Sequence, residues 1–291
     1  MRQIAKLCDV RDFEDADVVR MLRDILPERD PLAHAERKTW EFAMLALYLE
    51  EVGRLHDGTE VLAVGAGAER MVFWLANRVG RVIATDIYGE GLFAAREATA
   101  TMLTDPAAHA PFPYREDRLE VMYADARGLP FPDGSFDVVF SLSSIEHFGS
   151  PRAVARAARE MARVLKPGGH ALIATECLVR LDPRQTALAD SVMRAVTLNR
   201  THKGATPRRR LIEAFTPREL RTRIVRPSGL ELVQPLDLTL SPETWENLTS
   251  THADGRLEPL TGDFYPHVLL KFGRSVFTSV CLPLRKALAA A

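Results

Sequence analysis

The chain has 291 residues, 46% hydrophobic and 26% charged, with a formal net charge of −1. That length and composition suit one elaborated soluble α/β domain able to bury a sizeable core, and the near-zero charge argues against a global attraction to nucleic acid or membrane. Cys8, Cys177 and Cys281 are far apart and lack ligand spacing, so free thiols in a reducing compartment are expected and a structural metal is not.

Residues 1–58 read as helical and acidic, with more Asp and Glu than Lys and Arg. Their start, "MRQIAKLCDVRDFEDADVVR", is too charged for a secretory signal, and no apolar run approaches a membrane span. A cytoplasmic protein without integral membrane association is therefore expected. "AERKTWEFAMLALYLEEVGRL" places Trp40, Met44, Leu47 and Tyr48 at helical spacing, a face to lay on something larger.

The period then changes. "TEVLAVG" predicts a buried strand, "RMVFWLANRVG" a helix, "RVIATDIY" a second strand and "LFAAREATATML" a second helix. "RLEVMYAD" and "FDVVFSLS" predict the third and fourth strands. "PRAVARAAREMARVLK" predicts a helix with Pro151 in its first turn, and "PGGHALIATE" a fifth strand. Continuous apolar strands alternating with helices indicate a parallel sheet covered on both faces. Ligands of such sheets sit beyond the carboxyl ends of the strands, where Gly65, Asp86, Asp125 and residues 141–148 would fall.

In "VLAVGAGAER" an apolar strand breaks into Gly65 and Gly67, a turn that brings backbone close to a ligand. A dinucleotide site wants a small residue three positions after the second glycine, and Arg70 stands there. Asp86 ends the second strand 19 residues after Gly67, where a carboxylate can accept both hydroxyls of a ribose. Hydrogen bonds to a charged acceptor are worth roughly 1.5–3 kcal/mol each. Asp86 supports an adenosine ligand without choosing among them.

Downstream, "YADARGLPFPDGSFDVVFSLSSIEHF" and "RVLKPGGHALIATE" follow in order between the strands. With "VLAVGAGAER" and "VIATDIY" they resemble the class I S-adenosylmethionine-dependent methyltransferases over roughly residues 58–176, and weakly through "FTPRELRTRIVRPSGLELVQ", a late helix and sixth strand. The resemblance implies a Rossmann-like, seven-stranded, mostly parallel sheet with helices on both faces. Residues 1–58 would form a helical extension and 59–291 the methyltransferase domain, with cap insertions at 177–214 and 236–266. It implies S-adenosylmethionine as cofactor, Gly65, Ala66 and Gly67 approaching it, Asp86 holding its ribose and Ile87 covering its adenine. Asp125 would accept from the adenine amino group, Ala126 would offer its backbone amide, and Ser141 and Leu142 would lie beside the methionine portion.

The family's first motif usually carries an acid two residues before its first glycine, where this chain has Ala63. Glu69 could bring the missing carboxylate to the methionine ammonium, or simply suit the dipole of the helix it opens, at about 0.3–1 kcal/mol. "SSIEHF" places Glu146 and His147 after the fourth strand as catalytic candidates; His147 titrates near neutrality and is the better base. The pair could instead orient that loop or close the cofactor site.

Acceptor choice is expected outside the shared motifs. From Arg200 to Arg226 the chain has nine Lys and Arg against two acids, either a solvated face or a clamp for an anionic acceptor. The 236–266 connection is long enough for a lid, and Trp245, His252, Tyr265 and His267 could stack on a sugar or aromatic ring. "RSVFTSVCLPLRKAL" reads as an amphipathic end that docks on the domain, joins a homodimer or touches a membrane surface. The reading favoured is methyl transfer to an oxygen of a small-molecule or saccharide acceptor, with nucleic acid not a partner. The alternatives are a non-catalytic adenosyl-ligand-binding protein and a nicotinamide-dependent oxidoreductase.

Overall fold

The change of hydrophobic period near Thr59 marks the start of the sheet in the computed structural model, which describes residues 2–91, 93–180, 213–252, 256–260, 266–273 and 275–288. Before it come two helices, α1 (Ala16–Ile25) and α2 (Arg37–Glu51). The Asp15 carboxylate starts α1 by accepting the backbone N–H groups of Asp17 and Val18, which otherwise lack partners.

The sheet proper runs β1 (Glu60–Val64), α3 (Arg70–Ala76), β2 (Arg81–Asp86), β3 (Leu119–Tyr123), β4 (Phe136–Leu142), α4 (Pro151–Val164) and β5 (Leu165–Arg180). Then follow α5 (residues 217–228, π-helical over Leu220–Val225), β6 (Glu231–Leu232), α6 (Pro242–Glu246), β7 (Leu248–Thr251), β8 (Leu257–Pro259), β9 (Leu269–Phe272) and β10 (Ser275–Arg285). Strand order is β3-β2-β1-β4-β5-β10-β9-β7-β8, with β6 also paired to β10. The first five strands are mutually parallel, and β10 runs antiparallel to β5.

Alternation along β1 shows how the layers form. Val61 and Ala63 face one core with Trp40, Met44 and Tyr48 of α2 and Trp74 of α3. Leu62 and Val64 face the other, with Val154, Ala158 and Met161 of α4 and Leu220 and Ile224 of α5. Burying side chains of this size contributes roughly 1.5–3 kcal/mol each, enough to fix the register. The α2 face expected to lie on something larger thus lies on the sheet, Trp40 fully buried with its indole N–H donating to Asp12 at 2.8 Å.

Four expectations change. Among the described residues the sheet has ten strands rather than seven, because β7, β8 and β9 extend it beyond β10. The 236–266 connection is accordingly not an unpatterned lid: it carries α6, β7 and β8. "LFAAREATATML" forms no α-helix among its described residues; it is a run of turns ending in a 3-10 turn, Ala100–Leu103. Tertiary pairing outweighs its helical propensity there: Ala68 N–H donates to Glu97 O at 2.8 Å and Gly89 N–H to Ala98 O at 2.8 Å, drawing the segment against the glycine loop. Finally, "RSVFTSVCLPLRKAL" is no surface segment. Ser275–Arg285 is an interior strand, buried except at Arg285, and it pairs with β5 from Val276 to Arg285.

Candidate functional site

A cleft of about 750 Å³ opens at the carboxyl ends of β1, β2, β4 and β5. Its floor is the glycine loop. Gly65 and Gly67 have φ of 66° and 50°, a left-handed region costly to residues with a Cβ. A Cβ on Gly65 would lie 2.7 Å from that of Ser144, and one on Gly67 2.6 Å from Glu97 O. Ser144 Oγ donates to Gly65 O at 2.6 Å, tying the loop to the end of β4.

Asp86 sits at the end of β2 in this cleft. Its two carboxylate oxygens accept Gly67 N–H at 2.8 Å and Ile87 N–H at 2.7 Å, so side chain and loop hold each other. Burial raises its pKa and these two hydrogen bonds only partly offset that. Ala66 and Ile87 line the cleft beside it.

Asp125, Ala126 and Ser141 are not among the lining residues. The Asp125 carboxylate is half exposed and engaged by the Arg127 guanidinium, at 2.5–2.9 Å. Ala126 is buried next to it, and Ser141 is buried in β4 with no hydrogen-bond partner for its hydroxyl.

The adjacent catalytic candidates point different ways. His147 lines the cleft, its ring 4.7 Å from that of Phe93. Glu146 lies behind it, buried, accepting from Thr175 Oγ1 at 2.7 Å; burial and the nearby Glu176 charge push its pKa up to about 7. His147 Nδ1 is hydrogen-bonded to the Glu213 carboxylate. A carboxylate only accepts, so Nδ1 carries a proton, and in the neutral ring Nε2 is left as the acceptor. Burial lowers the His147 pKa, but Glu213 and the Glu146 and Glu176 charges outweigh it, and the net shift is upward.

The opposite wall was not legible in the sequence, because α2 supplies it. Arg37 and Lys38 both line the cleft. Arg37 pairs with Glu176 at 2.7 Å, while Lys38 pairs with Glu69 and donates to Leu142 O at 3.1 Å. Glu213 and Phe93 were missed as well. Only Glu176 carried a sequence signal, as a charged residue at the carboxyl end of a predicted strand. Ser143, between β4 and the His147 turn, has φ of 48°, and its hydroxyl donates to the buried Glu41 at 2.6 Å. Non-glycine residues held in that region are uncommon and cluster at functional sites.

Trp245, His252 and His267 do not line the cleft: the Arg180 guanidinium lies over the Trp245 ring at 5.1 Å, His252 pairs with Glu258 and His267 with Glu36. Tyr265 and residues 181–212, with most of the basic run and of the 177–214 insertion, lie outside the described residues. Of that run, Arg218, Arg221 and Arg226 are exposed on α5, and none lines the cleft. Among the described residues, five carboxylates, Glu69, Asp86, Glu90, Glu97 and Glu176, line it against Arg37, Lys38 and Arg96. No helix among the described residues is long and apolar enough to cross a membrane.

Residues 62–173 match the model of a methyltransferase domain family. The chain is 33% identical over 164 residues to methyltransferase GfsG of Streptomyces halstedii, covering 55% of this chain and 51% of that one. It is 30% identical over 157 residues to O-methyltransferase resE of Aspergillus sclerotiorum, covering 53% and 54%. A solved S-adenosylmethionine-dependent methyltransferase from Methanosarcina mazei aligns at 18% identity, 82% of this chain and 97% of that chain, with a TM-score of 0.45. The chain spans about half the length, or less, of the curated relatives it matches.

Proposed function

We propose that the chain, whose residues 62–173 match a methyltransferase domain family, is a class I S-adenosylmethionine-dependent methyltransferase that transfers a methyl group to a hydroxyl oxygen of a small-molecule or saccharide acceptor. The observation that carries the reading is one cleft lined by both the Gly65–Gly67 loop with Asp86 and the Glu213-held His147.

The residues present fit the cofactor. Each oxygen of Asp86 accepts a single N–H, which leaves a lone pair on each for the two ribose hydroxyls. About 750 Å³ lies within the range of about 300–1,000 Å³ usual for ligand clefts. Ile87 lines the cleft next to Asp86 and is the residue to pack on the adenine. When bound, S-adenosylmethionine supplies a methyl group made electrophilic by the sulfonium.

The protein's own work is then to align a nucleophile and take its proton. Positioning of this kind can supply roughly 7–11 kcal/mol. His147 Nε2 accepts the proton of the acceptor hydroxyl, and Glu213 fixes the ring and stabilises the imidazolium that results. Phe93, against the His147 ring and 37% exposed, offers an apolar face on which an acceptor ring can lie. Among the described lining residues carboxylates outnumber cations, which favours a neutral acceptor over an anionic one.

Calorimetric titration with S-adenosylmethionine, S-adenosylhomocysteine and NAD(H) tests the cofactor: the first two bind at micromolar affinity and NAD(H) does not. Transfer of a labelled methyl group to hydroxyl-bearing acceptors tests the chemistry. Equal binding of NAD(H), or products labelled only on nitrogen, would overturn the reading.

A further inference from the structure

We propose that Lys38 and Glu69 together hold the amino-acid end of the cofactor, Glu69 taking its ammonium and Lys38 its carboxylate. This deepens the methyltransferase reading and rests on it.

Glu69 stands at the N-terminal boundary of α3, yet its side chain makes no capping hydrogen bond. Its carboxylate turns instead into the cleft, onto Lys38 of α2. The helix dipole therefore does not explain its orientation. Ala63, the strand position from which an acid would otherwise reach this end, is fully buried and carries no charge.

Lys38 marks the place. Its ammonium sits between Glu69, Leu142 O at 3.1 Å and Glu41 at 3.5 Å, beside the end of β4. These are the acceptors that a ligand ammonium entering from the ribose side would meet. Of the neighbouring charges, Arg37 pairs with Glu176, and Glu41, fully buried, spends Oε1 on the hydroxyls of Ser143 and Ser279 and leaves Oε2 facing Lys38.

An amino-acid zwitterion is neutral overall, but burying either end unpaired is costly. A protein pair of opposite charges can open around it into an alternating row of four charges without changing the net charge. The lysine has the long flexible stem that such a rearrangement needs. The N-terminal helices would then be part of the cofactor site rather than an accessory to it.

The test is calorimetry on the wild type, Lys38→Met, Lys38→Arg, Glu69→Gln and the Lys38→Met/Glu69→Gln double variant. The ligands are S-adenosylmethionine, S-adenosylhomocysteine and 5′-methylthioadenosine, which lacks the amino-acid end; thermal melts show that each variant is folded. Lys38→Met and Glu69→Gln should each weaken the first two ligands at least tenfold and 5′-methylthioadenosine less than twofold. Lys38→Arg should recover most of the loss, and the double variant should be little worse than either single one. Equal losses for 5′-methylthioadenosine would mean that the pair only shapes the loop, and tighter S-adenosylmethionine binding by Lys38→Met would mean that the lysine competes with the ligand. Either overturns the proposal, as do unchanged affinities. A wild-type protein that binds none of the three ligands would bring down the methyltransferase reading itself.

Discussion

The two ends of the cleft are built on different principles. At the end proposed for the adenosine, Gly65, Gly67, Asp86 and Ile87 come from one short β–α–β stretch, and backbone N–H groups donating to a carboxylate hold the geometry. At the end proposed for the methionine portion and the transfer, Lys38, Glu69, His147, Glu176 and Glu213 come from five separate segments, and side-chain ion pairs hold them. A backbone-defined site depends on a few local residues. A site of paired side chains depends on every partner, because removing one leaves another charge buried and uncompensated.

His147→Ala should break the comparison most visibly. Loss of the base should lower kcat about 10²–10⁴-fold while leaving S-adenosylmethionine affinity within about twofold. A parallel loss of affinity would show that the two ends are not separable. Asp86→Ala is the converse. It should weaken the cofactor at least about tenfold, or roughly 1.4 kcal/mol. Because Gly67 and Ile87 lose an acceptor, its melting temperature should also fall by a few degrees, at about 2–4 °C per kcal/mol. An unchanged affinity in a folded variant would make Asp86 a structural brace only.

A pH–rate profile sharpens the comparison further. His147 must be neutral to accept a proton, and its pKa is raised from the ordinary 6.5, so kcat/KM should rise with pH through a limb above 6.5. Glu213→Gln removes a charge that favours the imidazolium, and should move that limb toward lower pH with a smaller loss of kcat than His147→Ala. A limb that does not move would detach Glu213 from the proton transfer. By linkage, the His147 contribution to stability is fully present below the unfolded imidazole pKa and is lost as pH rises through the folded one.

The smallest effect is expected at Asp125. Its carboxylate is already engaged by Arg127 and partly exposed, so Asp125→Asn should weaken S-adenosylmethionine by no more than about threefold, the scale of one exposed hydrogen bond. A loss matching that of Asp86→Ala would place the two carboxylates on the same footing.

Much of this protein was legible in its residues because the controlling physics is local. Apolar runs alternating with helical patterns set the parallel core of the sheet, and the glycines before a helix set the loop. A carboxylate at a strand end falls in the cleft wherever the strands are parallel, as Asp86 does. The failures share a cause in long-range pairing. "LFAAREATATML" has good helix formers, but the glycine loop recruits its backbone; the C-terminal segment reads as a surface element, but β5 pairs with it from Val276 to Arg285. Nothing near Lys38 announces Glu69, and nothing near His147 announces Glu213, which lies 66 residues away. The sequence by itself determined the layered sheet and the end of the cleft built by the Gly65–Gly67 loop and Asp86, where neighbours in the chain are neighbours in space. Only the tertiary structure decided which charges meet at the transfer end, because a buried ion pair is specified by the packing of the elements that carry it and leaves no periodic trace in either one.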